Sequence, residues 1–413
     1  MDASSPILDR IQALHPKRID LSLGRLERLL DALGRPQDRL PPTIHVAGTN
    51  GKGSVVAYLR AILNADGKTN HVYTSPHLVR FNERIRLGDK RGGTLVDDET
   101  LADALTRTER ANDSLPITFF EITTAAAFLL FSEIEADVLV LETGLGGRLD
   151  ATNVVDKPVA SVITTIGIDH EGFLGTSVGE IAAEKAGIIK RGVPVISAPQ
   201  KPEASSVIER HAARAQAPLH LGGEDWTAVG ELGRLVFQDN DGLVDLPSPR
   251  LTGRHQIINA GVAVATMRHT GLVETPASLE RGMVEVSWPG RMQRLTSGRI
   301  LDAAPGDAEV WLDGGHNRDA GEAVAAAFAD LEERVSRPLF LIAGMLSTKD
   351  PKAYFQSFQG LVRHVFTVRV PGTDASIEPG ALADAAEAAD LSAEAVGSVR
   401  TAMRLLAENW RFE

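Results

Sequence analysis

The stretch His45-Val-Ala-Gly-Thr-Asn-Gly-Lys-Gly-Ser54 decides the fold. An apolar, β-branched run (Thr43, Ile44, Val46) leads into a glycine-rich loop carrying Lys52 and Ser54. An amphipathic run follows, with Val55, Leu59, Ile62 and Leu63 at spacing i, i+4, i+7, i+8. Strand, glycine loop and helix together aim backbone N–H groups and a helix N-terminus at an anion. Lysine adds a mobile point charge for the outer phosphates of a nucleotide, and the hydroxyl reaches a magnesium ion or a phosphate oxygen. Thr49, Asn50, Gly51, Lys52, Gly53 and Ser54 therefore read as a P-loop for ATP or GTP. The loop departs from G-x-x-x-x-G-K-[ST] twice: Val46 stands where the first glycine would fall, and Gly53 separates Lys52 from Ser54. A bare Gly-Lys-Gly-Ser string is a turn with a solvated lysine; the strand before it and the helix after it favour the phosphate loop.

Outward from this loop, strand-like runs alternate with helical patterns, which predicts an α/β fold with a mostly parallel sheet. The expected strands are Thr43–Ala47, His71–Thr74, Val138–Leu141, Val159–Ile166 and Val193–Ser197. Val138-Leu-Val-Leu141 is continuously apolar, as a strand covered on both faces should be. Trp226 to Leu246 reads as a small antiparallel excursion, followed by a helix from about His255 to His269. The pattern breaks around Ser287-Trp-Pro-Gly-Arg291, so the chain is divided into domains 1–290 and 291–413. The second is a smaller, Rossmann-like α/β unit with strands at Val310–Asp313, Leu339–Ala343 and Val365–Val370. Its alanine-rich helices are expected at Ala323–Ala329 and Ala381–Ala389.

A chain of 413 residues suits two domains better than one core. The net charge of -12 argues against a nucleic-acid partner, although Arg80, Arg84 and Arg86 form a local basic patch. The absence of cysteine removes disulfides, thiolate zinc sites and cysteine nucleophiles together, which fits a cytoplasmic protein. Met1-Asp-Ala-Ser-Ser-Pro6 lacks the features of a signal peptide, and the longest apolar stretch, Ile122–Phe131, is too short to span a bilayer. No membrane association is expected.

Polar residues gather where the strands end. Ser75-Pro-His77 follows the second strand, Glu142 closes the third, and Asp169-His170 follows the fourth. Ligands bind outside the carboxyl ends of the strands in open α/β sheets. Magnesium wants hard oxygen ligands and keeps several waters, so Glu142 and Ser75 suffice as protein donors; His170 is a less usual one. Gly144-Leu-Gly-Gly-Arg-Leu149 fails as a dinucleotide fingerprint because Leu149 occupies the third glycine position. Ser177-Val-Gly-Glu180 is a capping box that starts a helix near Val178. At about 100° per residue, Val178, Ile181, Ala182, Ile188 and Ile189 form one stripe with Lys185 in its middle. A lysine on an apolar face is desolvated, which favours its neutral, nucleophilic amine, unless its head snorkels to solvent.

Taken together, these residues resemble the folylpolyglutamate synthase/dihydrofolate synthase branch of the Mur-type amide ligases. The matching strings are Gly48-Thr-Asn-Gly-Lys-Gly-Ser54, Thr74-Ser-Pro-His-Leu78, Phe119-Phe-Glu121 and the run Leu141 to Asn153. Ile168-Asp-His170, Glu184-Lys-Ala-Gly-Ile188, Pro289-Gly-Arg291 and Leu312-Asp-Gly-Gly-His-Asn317 complete them, in family order. The resemblance implies the Mur ligase architecture and an ATP-dependent amide synthesis. ATP phosphorylates a pteroate or folate carboxylate, and the amine of L-glutamate attacks the acyl phosphate. It further implies that Lys52 and its loop hold the β- and γ-phosphates, and that Ser75, Glu142 and His170 are ligands of Mg²⁺, with two ions in all. Lys185 resembles the family's carbamylated lysine, a ligand of the second ion.

Asn259, Arg291, Asp313 and His316 match positions around ATP, with Asp313 and His316 contributed by a C-terminal domain that closes the cleft and binds glutamate. Ile19, Asp20 and Leu21, Thr118, Phe119, Phe120 and Glu121, and Leu149, Asp150 and Ala151 would form the pterin side. Dihydropteroate or folate and L-glutamate are then the partners of a monomer, and bifunctionality is the expectation. Gly315 replaces the family's alanine and Arg318 its proline, the latter a change expected to alter contacts to glutamate or phosphate. Two other readings compete: a Mur-type ligase acting on a cell-wall precursor, and a nucleotide-binding regulator without chemistry. The second would be supported by a guanine signature, for which Thr348-Lys-Asp350 lacks the spacing.

Overall fold

A computed structural model of the chain describes residues 4–14, 20–90, 92–273, 275–306 and 308–409. The backbone divides into two compact units. Unit 1 comprises Met1–Ile166, Thr176–Arg250 and Gln256–Ser287; unit 2 comprises Gly167–Gly175, Leu251–His255 and Trp288–Glu413. A single cut at 290/291 therefore misses two short earlier segments that group with unit 2, one of them carrying His170.

Unit 1 is built on β1 (Thr43–Ala47), β2 (Asn70–Tyr73), β3 (Ile85–Leu87), β4 (Thr94–Leu95), β5 (Val138–Glu142), β6 (Ala160–Ile163), β7 (Val195–Ser197) and β8 (Leu219–Leu221). Their spatial order is β4-β3-β2-β5-β1-β6-β7-β8. The six strands from β2 to β8 in that order run parallel, while β3 and β4 extend the sheet antiparallel at one edge. Every residue of β1 and β5 is buried, as central strands covered on both faces should be, and the apolar run Val138–Leu141 matches that cover. The helix Phe119–Glu133 is buried nearly all round, so its apolar residues show no stripe. From β1 the chain passes to one side of the sheet, and it later returns to β6 on the other. The strand order thus reverses at β1, the place where an open α/β sheet leaves a crevice beyond its carboxyl ends.

The expected excursion is a meander of β9 (Trp226–Glu231), β10 (Arg234–Asp239) and β11 (Gly242–Pro247). The expected helix at His255–His269 spans Arg254–Thr270. Strand ends fall within a few residues of expectation. The short β3, β4 and β8 were not expected, because runs of two or three residues carry no readable period.

In unit 2, β12 (Gln293–Arg294) and β13 (Trp311–Leu312) form an antiparallel pair. The expected strand Val310–Asp313 therefore does not join the parallel sheet. That sheet consists of β14 (Leu339–Ala343), β15 (Val362–Thr367) and β16 (Ala393–Ala395), in this order. The alanine-rich stretches lie in helices Arg318–Arg334 and Pro379–Glu387. No helix among the described residues is long and apolar enough to cross a membrane.

Candidate active site

The loop after β1 is fixed by its own backbone and by the segment after β6. Thr49 and Asn50 donate their N–H groups to the Thr165 carbonyl at 3.0 and 3.1 Å, and Thr164 Oγ1 donates to the Asn50 carbonyl at 2.7 Å. Two glycines are needed for close approach. A Cβ on Gly48 would lie 1.8 Å from Thr164 Oγ1, and one on Gly51 (φ +91°) would lie 2.3 Å from Asn259 Oδ1. Gly51 caps the helix Lys52–Ala65, so that helix opens at the loop with Lys52, Gly53 and Ser54 in its first turn. Asn259 donates to Gln256 Oε1 at 3.1 Å, and Gln256 Nε2 donates to Ser54 Oγ at 3.3 Å, which joins the helix Arg254–Thr270 to the loop. Gln256 escaped the sequence reading because its partner is 202 residues away.

Two lysines converge on one carbonyl of this loop. Lys52 Nζ donates to the Gly48 and Thr49 carbonyls at 3.0 and 3.3 Å, and Lys185 Nζ donates to the same Gly48 oxygen at 2.8 Å. Their ammonium groups are therefore close neighbours. Lys185 is 4% exposed, so the desolvation expected from its helix face is realised. The helix Val178–Ala186 buries Ile181, Ala182, Lys185 and Ala186. It ends before Ile188 and Ile189, which therefore are not part of a helical stripe; Val178 is only half-buried.

Glu142 ends β5 in register with Val46 of β1, so its backbone stands at the strand end beside the one that opens into the loop. It is 3% exposed, and its Oε2 accepts the Ser75 N–H at 3.2 Å. Among the described residues, no group of three or more His, Cys, Asp or Glu side chains is arranged to hold a metal. One buried carboxylate beside a phosphate loop still fits magnesium, which takes its remaining oxygens from water and phosphate.

The residues read as the pterin side fall in unit 1, except Ile19, which lies outside the described residues. Thr118 caps the helix Phe119–Glu133 in a reciprocal box: its N–H donates to Glu121 Oε2 at 2.7 Å and its Oγ1 accepts the Glu121 N–H at 3.3 Å. Arg25 joins this box to the other predicted segment. It grips Glu121 through Nε and Nη2, both at 3.0 Å, and reaches Asp20 through its Oδ2 at 3.3 Å and its carbonyl at 2.8 Å. Sequence reasoning missed Arg25, although an arginine one turn after Asp20 and a glutamate at a capping position were both visible.

Phe119, Phe120, Phe81 and Tyr73 form an aromatic cluster. The Phe81–Phe119 centroids are 5.8 Å apart and nearly perpendicular, and Tyr73 lies 6.2 Å from Phe120. Arg84 sits over the Phe81 ring, and burial pulls its pKa below the usual guanidinium value. Phe120 also presses on the loop after β5, since a Cβ on Gly144 would stand 2.4 Å from its ring. In that loop, burial pushes the Asp150 carboxyl up, while it accepts N–H groups of Leu145 and Thr152 and the Thr152 hydroxyl. Asp150 thus shapes its own loop, holding Ala151 buried and Leu149 half-buried. Tyr73 and Phe81 are buried, while Phe119 and Phe120 are half-buried and leave part of each ring open to a planar heterocycle.

Unit 2 gathers the remaining predicted residues. Asp313 Oδ2 accepts the Met292 N–H at 2.8 Å and Oδ1 accepts the Gly315 N–H at 2.6 Å. Gly314 lies against Arg291, since a Cβ there would be 2.5 Å from Nη1. His316 directs Nδ1 at the Gly314 carbonyl (2.8 Å) and Nε2 at Asp169 Oδ2 (3.4 Å). His170 adopts the left-handed conformation (φ +54°) at the start of the helix Glu171–Leu174, a geometry uncommon outside glycine and frequent at functional turns. Arg318 is exposed and pairs along its own helix with Glu322 at 3.0 Å, at the first helical position, where proline is equally at home. At Gly315 a Cβ, such as the family's alanine carries, would stand 2.9 Å from Asp313 Oδ1.

Residues 46–267 match the Mur ligase middle domain. The chain is 38% identical over 321 residues to the dihydrofolate synthase/folylpolyglutamate synthase of Bacillus subtilis (strain 168), an alignment covering 73% of this chain and 71% of that one. Among solved structures, E. coli FolC in complex with DHPP and ADP superposes with a TM-score of 0.87 at 30% identity, covering 99% of this chain and 92% of that one. A bifunctional folylpolyglutamate synthase/dihydrofolate synthase with Mn, AMPPNP and L-glutamate bound gives a TM-score of 0.84 at 29% identity, covering 99% and 93%.

Proposed function

The chain belongs to the folylpolyglutamate synthase/dihydrofolate synthase family of Mur-type ligases, and on that premise we propose how its residues divide the reaction among them. It is an ATP- and divalent-metal-dependent ligase that joins L-glutamate to dihydropteroate or a folate and releases ADP and phosphate. The cell-wall and regulator readings give way to this one, because the relatives it matches are glutamate ligases of folates.

The observation that carries the residue assignment is the convergence of Lys52 and Lys185 on the Gly48 carbonyl, with Glu142 in register with Val46 at the same strand ends. A carboxylate is a poor electrophile, and phosphoryl transfer to it needs positioning and charge neutralisation more than a protein nucleophile. In this reading the backbone N–H groups of residues 51–54 cradle the phosphates, Thr49 and Asn50 shape the loop through the Thr165 carbonyl, and Lys52 swings from the loop carbonyls onto the outer phosphates. Asn259, Arg291, Asp313 and His316 are assigned to the nucleotide, with unit 2 also taking glutamate. The substrate carboxylate oxygen attacks the γ-phosphorus and ADP leaves; the glutamate amine then attacks the acyl carbon, phosphate departs, and the amine loses a proton. Bound magnesium would neutralise charge on the transferred phosphoryl group. Ser75, Glu142 and His170 are the residues assigned to hold it. Lys185 is assigned a carbamate, formed with CO₂, that adds a ligand for a second ion.

The pterin side is assigned to Ile19–Leu21, Thr118–Glu121 and Leu149–Ala151, with Arg25 fixing two of these segments together. A main division near 290/291, with Gly167–Gly175 and Leu251–His255 grouped with the C-terminal unit, a monomeric state and cytoplasmic residence complete the proposal, the oligomeric state being open to light scattering in solution. Bifunctionality is tested by glutamate-dependent ADP release with 7,8-dihydropteroate and, separately, with tetrahydrofolate monoglutamate. Activity with both is expected; activity with one alone restricts the enzyme to that reaction, and activity with neither removes the folate assignment.

A further inference from the structure

Thr348-Lys349-Asp350 has no part in the assignments above, yet Lys349 is one of the most buried charges of unit 2. Its side chain is 9% exposed and lies 2.6 Å from Asp169 Oδ1, and Asp169 is itself 10% exposed. The same carboxylate accepts the His170 N–H at 2.8 Å on Oδ1 and Asn317 Nδ2 at 3.1 Å on Oδ2, and it faces His316 Nε2 at 3.4 Å. Asn317 Oδ1 in turn caps the helix Arg318–Arg334 through the Ala320 N–H at 2.9 Å. The start of the Asp169 turn packs on the same helix, since a Cβ on Gly167 would stand 1.7 Å from Asp319 Oδ2. Asp169 is therefore a hub for donors from three separate segments, all within unit 2.

Taking two charges out of water is costly, and neutral residues of the same volume commonly stabilise a fold as well. What a neutral pair lacks is direction: four donors around one carboxylate fix the orientation of every group that reaches it. His170 sits in a left-handed conformation that is uncommon outside glycine, although histidine tolerates it better than most residues, so its placement depends on the turn being held. We propose that Lys349 is a positioning residue for the glutamate-ligase reaction: its buried ion pair with Asp169 holds the Ile168-Asp169-His170 turn in register with the His316-Asn317 segment. The chemical consequence rests on the ligase reading, in which His170 and His316 serve metal and nucleotide. The anchoring itself does not.

The experiment compares Lys349→Met, which keeps chain length and removes charge, with Lys349→Arg. Hydrogen exchange of residues 167–175 should become about tenfold faster or more in Lys349→Met and stay near the parent rate in Lys349→Arg. In turnover, Lys349→Met should lower kcat by about 10–100-fold and raise the magnesium concentration for half-activity, as losses of groups behind a ligand do. The KM for dihydropteroate should stay within about twofold, and Lys349→Arg should recover most of kcat. Unchanged exchange in Lys349→Met overturns the proposal, and so do unchanged kcat and magnesium dependence. Should Lys349→Met lose its cooperative melting transition, Asp169→Asn takes its place with the same expected and overturning results. A parent enzyme releasing no glutamate-dependent ADP with either dihydropteroate or tetrahydrofolate monoglutamate defeats the ligase reading instead, and the exchange rates still decide the anchoring.

Discussion

Both units drive a lysine into the interior, but by different means. Lys185 lies on a helix whose capping box and apolar neighbours announce which face turns inward, and it ends 4% exposed against the Gly48 carbonyl. Lys349 lies in a turn, with nothing apolar around it in sequence to foretell burial, and it is held by a carboxylate 180 residues earlier. Periodicity reports the faces of regular elements. It is silent about loops, whose burial is decided by whichever distant partner they meet.

Removing Lys185 should have the largest effect. Lys185→Ala is expected to lower turnover on the order of a thousandfold, as loss of a group stabilising transition-state charge does, while circular dichroism shows an unchanged fold. The loss should exceed that of Lys349→Met, because Lys185 is assigned to the reacting groups and Lys349 to their support. Near-parental activity in Lys185→Ala would remove the carbamate and reverse the ranking of the two lysines.

Arg25 sharpens the comparison, since it too is held across a long sequence distance. Arg25→Ala leaves the 5%-exposed Glu121 carboxylate without its fork, which should cost about 3 kcal/mol or more in urea denaturation. The KM for dihydropteroate should rise while that for ATP stays put. A variant with both constants unchanged would detach Asp20 and Glu121 from the substrate.

His45 tests the interior of unit 1. It is fully buried beside Thr152, and burial, with Lys190 adding to it, lowers its pKa to about 3. The unfolded residue titrates near 6.5, so below that pH the unfolded chain binds a proton that the folded chain refuses. Its contribution is complete above about pH 6.5 and falls by up to about 1.4 kcal/mol per unit as the pH drops toward 3. Unfolding free energies measured from pH 7 to pH 5 should decline less steeply in His45→Gln; equal slopes would contradict the buried neutral ring.

Arg318→Pro should matter least. Its exposed pair with Glu322 contributes no more than about 0.5 kcal/mol, and proline suits the first helical position. A large drop in activity would show that Arg318 does meet a ligand.

Much of unit 1 was legible because its chemistry is local. Val138-Leu-Val-Leu141 read as a covered strand, Ser177 with Glu180 as a cap, and the Gly48–Ser54 loop declared its anion, whereas the Thr118–Glu121 box was read for substrate alone. The stripe beyond Ala186 was misread because three residues past a helix end can keep its apolar rhythm without its geometry. Val310–Asp313 carried a strand pattern that said nothing about its partner, and the two-residue pair with Gln293–Arg294 decided it. Gln256, Arg25 and the pairing of Asp169 with Lys349 share one reason for escaping notice. Each acts through a hydrogen bond spanning roughly a hundred residues or more, which no window along the chain contains.

The claim on which all of this depends is that the loop after β1 serves transfer of phosphate to the substrate carboxylate. Dihydropteroate labelled with ¹⁸O in its carboxylate, incubated with ATP, magnesium and glutamate, tests it by mass spectrometry of the released phosphate. The account predicts one ¹⁸O atom in each phosphate formed, carried over from the acyl phosphate; phosphate free of label, with glutamate nonetheless joined, would contradict it.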